Sequence, residues 1–213
     1  MLHSKRARVI VFLSVATWLS LVGGGLWWLL GYENTPGLAA APPAQWPVNS
    51  KIRPAPDQAT LVILAHPHCP CTRASLGELA SIMAHCQGRL TAYVLFLRPE
   101  GFAPGWEQTD LWTSASTIPG VKVILDDDGR EARLFHAATS GQAVLYDSQG
   151  RLLFSGGITA SRGHAGDNAG SSAIISLVHS GVPGSTETSV FGCPLFDPQS
   201  ECRVSKDDER TKR

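Results

Sequence analysis

The hydrophobic pattern of the chain falls into three stretches. From Val9 to Tyr32 there is no charged residue, and VIVFLSVATWLSLVGGGLWWLL, residues 9–30, would span about 33 Å as a helix, enough for a hydrocarbon core. Lys5, Arg6 and Arg8 precede it. Positive charge on that flank places residues 1–8 in the cytoplasm and sends everything after the run across the membrane, with Trp27, Trp28 and Tyr32 at the outer interface. A transmembrane helix over 9–31 is therefore expected. A cleaved signal peptide is the rival reading, because Ala39, Ala40 and Ala41 would suit a peptidase, but the run exceeds a usual signal core and the alanines lie well beyond it.

Periodicity then vanishes. Residues 32–58 are rich in Pro and Ala and carry no apolar face, so a semi-extended tether is expected there. From residue 59 the pattern alternates between buried strands and one-sided helices. TLVILAH (60–66) is an apolar run of strand length that ends at His66 and Pro67, and CTRASLGELASIMAHC (71–86) repeats Leu76, Leu79, Met83 and Cys86 at helical spacing. LTAYVLFL (90–97) is a second strand, EQTDLWTSAST a weaker helix, VKVIL (121–125) a third strand and REARLFHAA a short helix. QAVLYD, the turn SQG and RLLFSG make a hairpin, and SSAIISLVHS is a last helix stopped at Gly181 with Pro183 beyond. This order predicts an α/β domain over 59–182 with a mixed central sheet flanked by helices, parallel first and antiparallel at the end. Residues 183–213 form a C-terminal extension carrying Cys193 and Cys202, ending in the mixed-charge KDDERTKR.

Composition narrows the function classes. With 213 residues the chain holds one domain plus extensions, and 18 Lys plus Arg balance 18 Asp plus Glu, which gives no electrostatic reason to expect nucleic acid. If the domain is exported, disulfide chemistry is open to it.

Chemistry concentrates in HPHCPCTRASLGEL, residues 66–79. If Cys69 caps the helix, Pro70 takes its first position, where a missing N–H costs nothing, and Cys71 follows in the first turn. Thiolates there face the positive end of the helix dipole and unpaired backbone N–H groups, which lowers their pKa and raises the reactive fraction. Arg73 adds positive charge in the same turn. His66 and His68 would add more when protonated, or accept a proton when neutral. The same four side chains, His66, His68, Cys69 and Cys71, are also soft and imidazole ligands of the type that takes Cu(I) or Zn, although Pro67 and Pro70 make their convergence on one ion difficult without help from His164.

Residues 58–181 resemble the thioredoxin-like fold, in particular membrane-anchored periplasmic proteins of the thiol-disulfide oxidoreductase, TlpA-like and peroxiredoxin-like kind. HPHCPCTRASLGEL, TSGQAVLYDSQGRLLFSGGIT, SRGHAGDNAG and FGCPL together are similar to the proteins labelled RedB. The resemblance implies a single-pass protein of the inner membrane, with a periplasmic domain that exchanges disulfides with protein thiols and needs no cofactor. Two departures stand out. The thioredoxin pattern separates its cysteines by two residues, so either Cys69 is the nucleophile with Thr72 in the resolving position, or Cys69 and Cys71 are the working pair. Two residues of chain span at most about 7 Å and a disulfide needs roughly 4.4 to 6.8 Å between alpha carbons, so the second pairing is allowed with little slack. The other departure is Thr139, Ser140 and Gly141 where that pattern carries a proline, with Gly141 leaving the approach open.

That fold would return the hairpin's second strand toward the cysteines and deliver GGITASRGHAGDNAG as a second wall, with Arg162 and His164 as candidate site residues and His164 a proton donor or acceptor. Asp167 or Asn168 is expected to cap the last helix. Cys86 reads as a buried small hydrophobe with His85 pointing outward. Cys193 and Cys202 read as a local disulfide, with exchange between Cys193 and the Cys69–Cys71 pair as the alternative. Three activities remain in view: thiol–disulfide exchange, copper binding or delivery, and peroxide reduction by Cys69 assisted by Thr72.

Overall fold

The computed structural model describes residues 2–38, 40–182 and 184–196. The chain divides into two units, 1–35 and from 36 onward. The first is one helix, α1 (Leu2–Glu33), and its segment Lys5–Glu33 is long and apolar enough to cross a membrane. Large side chains along it, Trp27 and Trp28 among them, are exposed. It ends ahead of Pro36, whose ring disfavours the helical conformation at the preceding residue.

The second unit is built on β1 (Ala59–Ala65), β2 (Leu90–Arg98), β3 (Val121–Asp127), β4 (Gln142–Tyr146) and β5 (Leu152–Gly156), in the sheet order β3-β2-β1-β4-β5. β1 pairs parallel with β2 and β2 with β3, whereas β4 runs antiparallel to both β1 and β5. With α2 (Pro70–His85), α3 (Asp110–Ser116), α4 (Arg130–Leu134) and α5 (Ala169–Ser180), this is the mixed α/β arrangement expected from the pattern and the thioredoxin-like fold that the resemblance implied. β1 is central, and alternate residues feed opposite faces. Leu61, Ile63 and Ala65 pack with Leu79, Ile82, Met83, Ile174 and Leu177, under α2 and α5. Val62 and Leu64 point the other way, toward Leu95, Phe135, Val144 and Tyr146.

That second face overturns the expected tether. α4 is only five residues long, ended by His136 at φ +53°, so it cannot cover the sheet alone. Residues 44–52 complete the layer. Trp46 packs edge-on against Phe135 and Tyr146 at 5.3 and 5.2 Å, its backbone N–H donates to Gly150 O and its indole N–H to Ile52 O, Leu152 N–H donates to Ala44 O, and Ile52 is buried. Ser50 Oγ and Lys51 N–H both donate to the buried Glu131 carboxylate, at 2.6 and 2.9 Å. A proline-rich run without periodicity can still be a fixed part of a domain when it carries one large aromatic.

The register fixes where chemistry can gather. Leu64 of β1 lies opposite Gln142, the first residue of β4, so β4 starts beside the end of β1 that leads into residues 66–69. β5 returns to that end at Gly156, as expected, and hands the chain to the loop 157–168.

Candidate redox site at the start of helix α2

β1 ends at Ala65, and a tight turn held by Cys69 N–H donating to His66 O delivers the chain to α2. Cys69 is the N-cap, extended at φ −85° and ψ 119°, with Pro70 at the first helical position. No side chain caps the helix there, so its first-turn amides keep their field toward the sulfur. Both sulfur residues are recessed, Cys69 at 0% exposure and Cys71 at 9%.

Ser140 ties this turn to the loop before β4. His66 N–H donates to Ser140 Oγ at 2.9 Å, and Thr72 Oγ1 donates to His66 O at 3.2 Å while lying 3.1 Å from the same Ser140 Oγ. The Thr72 hydroxyl is thereby a fastener inside the turn. Gly141 follows at φ +90°, a conformation suited to glycine, and its N–H donates to Leu64 O. A Cβ there would come to 3.1 Å from Ser75 Oγ.

The histidines are organised by Trp106. The His66 ring meets it edge-on at 5.5 Å, the His68 ring lies tilted at 4.5 Å, and His68 Nε2 is 3.1 Å from Trp106 O. His66 Nδ1 accepts from His68 N–H. Burial pushes the His66 pKa down to about 4, against the attraction of a charged Cys69 and with repulsion from His68 adding to the fall. His66 is thus a neutral imidazole near pH 7, which corrects the first of its two expected roles, supplying positive charge, and leaves the second, that of a neutral ring. Arg73 is also displaced from its expected role: on the exposed side of the first turn, it pairs with Asp110 at the start of α3.

The loop 157–168 does come back. Arg162 and the Gly163 N–H both act to stabilise a Cys71 thiolate, but a hydrogen bond to Cys69, burial and the Cys69 charge outweigh them and push the Cys71 thiol well up. The expected acidic Cys71 is therefore corrected: where two sulfurs share one proton, Cys71 keeps it. His164 is exposed on a tight turn, its N–H donating to Ser161 O at 3.4 Å. The buried Glu78 on α2 anchors the loop, accepting from Gly166 N–H at 2.7 Å, Asn168 Nδ2 at 3.0 Å and Ser171 Oγ at 3.1 Å. Asn168 is also the cap of α5, accepting from Ser171 N–H. Cys86 is buried at the end of α2 beside an exposed His85, and burial raises its thiol pKa.

The third wall is the segment 186–195. Thr188 N–H donates to Ser155 O and Ser155 N–H to Thr186 O along the edge of β5. The chain then crosses to residues 138–140, where Thr139 and Pro194 form an antiparallel bridge. This puts Cys193 Sγ 2.9 Å from Cys69 Sγ. Cys202 lies outside the described residues, and with it the Cys193–Cys202 pairing. Among the described residues no group of three or more His, Cys, Asp or Glu could hold a metal ion, so His66, His68, Cys69 and Cys71 do not make the ligand set the copper reading needs. Glu78 and Trp106 went unrecognised in the sequence, and Ser140 was noted only as standing where a proline was expected. Glu78 left a signal, as a charge one position from Leu79 among the buried residues of α2.

No protein-family profile matches the sequence, and no curated protein sequence matches it. Among solved structures the chain is similar to an uncharacterized conserved protein from Geobacillus kaustophilus, with 16% identity, 78% of this chain and 94% of that chain covered, and a TM-score of 0.56. It is also similar to a hypothetical protein from Sinorhizobium meliloti 1021, with 19% identity, 76% and 93% covered, and a TM-score of 0.55. A weaker likeness reaches the exposed lipoprotein thioredoxin of Streptococcus pneumoniae, with 13% identity, 58% and 84% covered, and a TM-score of 0.43. The first two establish a shared fold.

Proposed function

We propose that the chain is a membrane-anchored thiol–disulfide oxidoreductase of the RedB type, its domain outside the cytosol acting on protein thiols and disulfides without a cofactor. α1 would be a single pass of the inner membrane over 9–31, with residues 1–8 in the cytoplasm. Residues 59–182 would carry the redox site and residues 183–213 an extension. The observation that carries the reading is the placement of two sulfurs at the mouth of α2, Cys69 as its N-cap and Cys71 in its first turn. As the N-cap, Cys69 faces the first-turn amides that favour a thiolate, which suits it to be the attacking sulfur.

In the reaction, the Cys69 thiolate attacks one sulfur of a substrate disulfide. The substrate S–S bond breaks, a mixed disulfide forms on Cys69, and the expelled sulfur leaves as a thiolate that takes up a proton. A second thiol of this protein then attacks Cys69 Sγ and releases the other substrate sulfur, so two electrons pass to the substrate. Two thiols lie beside Cys69 for that step, Cys71 in the first turn of α2 and Cys193 on the facing segment. Arg162 and the Gly163 N–H would stabilise a Cys71 thiolate as it forms, and His164 would exchange the proton with solvent. Thr72 and Ser140 hold the turn, and Gly141 leaves a side open. The copper alternative would draw on His66, His68, Cys69 and Cys71, with His66 and His68 both oriented on Trp106 instead.

Trapping in cells tests the reading. A chain carrying both Cys71→Ser and Cys193→Ser, which removes both neighbouring thiols, should accumulate mixed disulfides through Cys69, separable on non-reducing gels, and Cys69→Ser should abolish them. Cys69 and Cys71 remaining thiols across a full glutathione titration, while Cu(I) binds one to one, would sink it.

A further inference from the structure

A nucleophile at 0% exposure needs an explanation. Against it lies the chain's own segment 186–195, and that segment is fastened as a built element. Ser140 N–H donates to Cys193 O at 2.8 Å and Leu195 N–H to Ala138 O at 2.9 Å, on either side of the Thr139–Pro194 bridge. Arg162 Nη1 donates to Gly192 O at 2.7 Å, and Gly37 N–H to Val190 O at 2.8 Å. Glycines stand where backbone presses on backbone: a Cβ on Gly157 would come to 2.5 Å from Ser189 O, and one on Gly192 to 1.9 Å from Ser140 O. Those approaches admit no side chain, so the sequence is fitted to this docking.

We propose that Cys193 is a third redox thiol of the site, which closes on Cys69 to form a disulfide between residues 124 apart in the chain, and that segment 189–195 occupies the strand position beside residues 138–140 where an incoming protein disulfide would otherwise lie. The inference rests on the oxidoreductase reading and names the thiol that completes its second step. Two geometries favour Cys193 over Cys71. The two sulfurs are already 2.9 Å apart, and Cys193 arrives on a separate strand held at both ends. A Cys69–Cys71 bridge must instead close across Pro70, whose φ is fixed, inside a turn already fastened by Thr72 N–H donating to Cys69 O.

The step balances as follows. An incoming protein disulfide is the oxidant. Cys69 attacks it, the first substrate sulfur leaves and is protonated, and Cys193, having lost its proton, attacks Cys69 Sγ. The Cys69–Cys193 bond forms as the mixed disulfide breaks, and the second substrate sulfur leaves and takes a proton. Two thiols of this chain are oxidised and one substrate disulfide is reduced to two thiols. An external protein dithiol regenerates the pair by the reverse sequence.

The test uses the full chain in detergent micelles, equilibrated with oxidised and reduced glutathione, quenched with acid, alkylated, digested and read by peptide mass spectrometry. The Cys69–Cys193 linked peptide is expected as the main bridge in the wild type and in Cys71→Ser. Cys193→Ser should lose it and hold a glutathione adduct on Cys69 at least about ten times longer than the wild type. A wild type bridged only as Cys69–Cys71, with Cys193→Ser unchanged in adduct lifetime, overturns this inference and leaves the oxidoreductase reading standing. A Cys193–Cys202 bridge that persists while Cys69 cycles does the same. Absence of any bridge or adduct on Cys69 in all three chains removes both.

Discussion

Acid should weaken this domain through one identifiable side chain. His66 is 6% exposed, lies edge-on against Trp106, and has its pKa lowered from 6.5 to about 4. Between those two values the unfolded chain binds a proton at His66 and the folded chain does not, so stability rises with pH through that window. The contribution is fully present above about pH 6.5, shrinks as pH falls, and has reached its floor below about pH 4. A displacement of that size corresponds to on the order of 3 kcal/mol. His66→Asn removes the titration while its side-chain oxygen can still accept from His68 N–H, as Nδ1 does now. The assay is urea unfolding of the full chain in nonionic micelles at a series of pH values from 4 to 7, followed by tryptophan fluorescence. Both proteins will lose stability in acid, because carboxylates titrate as well; the difference between them isolates His66. The wild type should lose on the order of 3 kcal/mol more than His66→Asn from pH 7 to pH 4. Parallel curves for the two proteins would refute the assignment of a buried neutral imidazole.

Two further substitutions probe the walls of the site. Glu78→Gln leaves one of the donors from Gly166, Asn168 and Ser171 facing an amide N–H, which should cost about 1–3 kcal/mol in urea unfolding and speed alkylation of Cys71 several-fold as the Arg162–Gly163 turn loosens. A change under about 0.5 kcal/mol with unaltered Cys71 alkylation would show that the carboxylate does not hold the loop. Gly192→Ala places a Cβ where Ser140 O now sits, so the segment must lift. Alkylation of Cys69 in the reduced protein should then accelerate at least about tenfold with the circular dichroism spectrum intact, whereas an unchanged rate would mean that something other than this segment shields the sulfur.

How much of this was legible follows from the range of the interactions. Strands and helices of the domain were readable because each announces itself locally: β1 as an apolar run, α2 by its repeat of Leu76, Leu79 and Met83, α5 by the Gly181 that ends it at φ +69°. The helix mouth at Cys69 and Pro70 was readable for the same reason, and so was the return of residues 157–168, since topology alone carries β5 back to the start of β4. What failed to show was non-local. Nothing near Trp46 says that it completes a face left bare by a five-residue helix, and nothing near Arg73 says that Asp110 waits beside it. The acidity expected of Cys71 was a one-body estimate from the helix field, defeated by a two-body effect, the hydrogen bond to Cys69.

Ser140 shows why these non-local effects meet at one point. Its Oγ accepts from His66 N–H and faces the Thr72 hydroxyl, fixing the turn that presents Cys69, while its N–H donates to Cys193 O and so holds the strand opposite. One residue therefore orients both partners of the 2.9 Å sulfur contact. A strand tethered to the same chain presents its thiol at an effective concentration in the millimolar range or above, so an external disulfide that lacks backbone pairing to residues 138–140 competes poorly for the position. A partner that supplies an extended strand replaces the Ser140 and Ala138 hydrogen bonds as it displaces segment 189–195, and loses little. In the oxidoreductase proposed above, selectivity for extended protein segments over small disulfides would follow from how the cover is attached, and it would require no pocket that recognises a particular side chain.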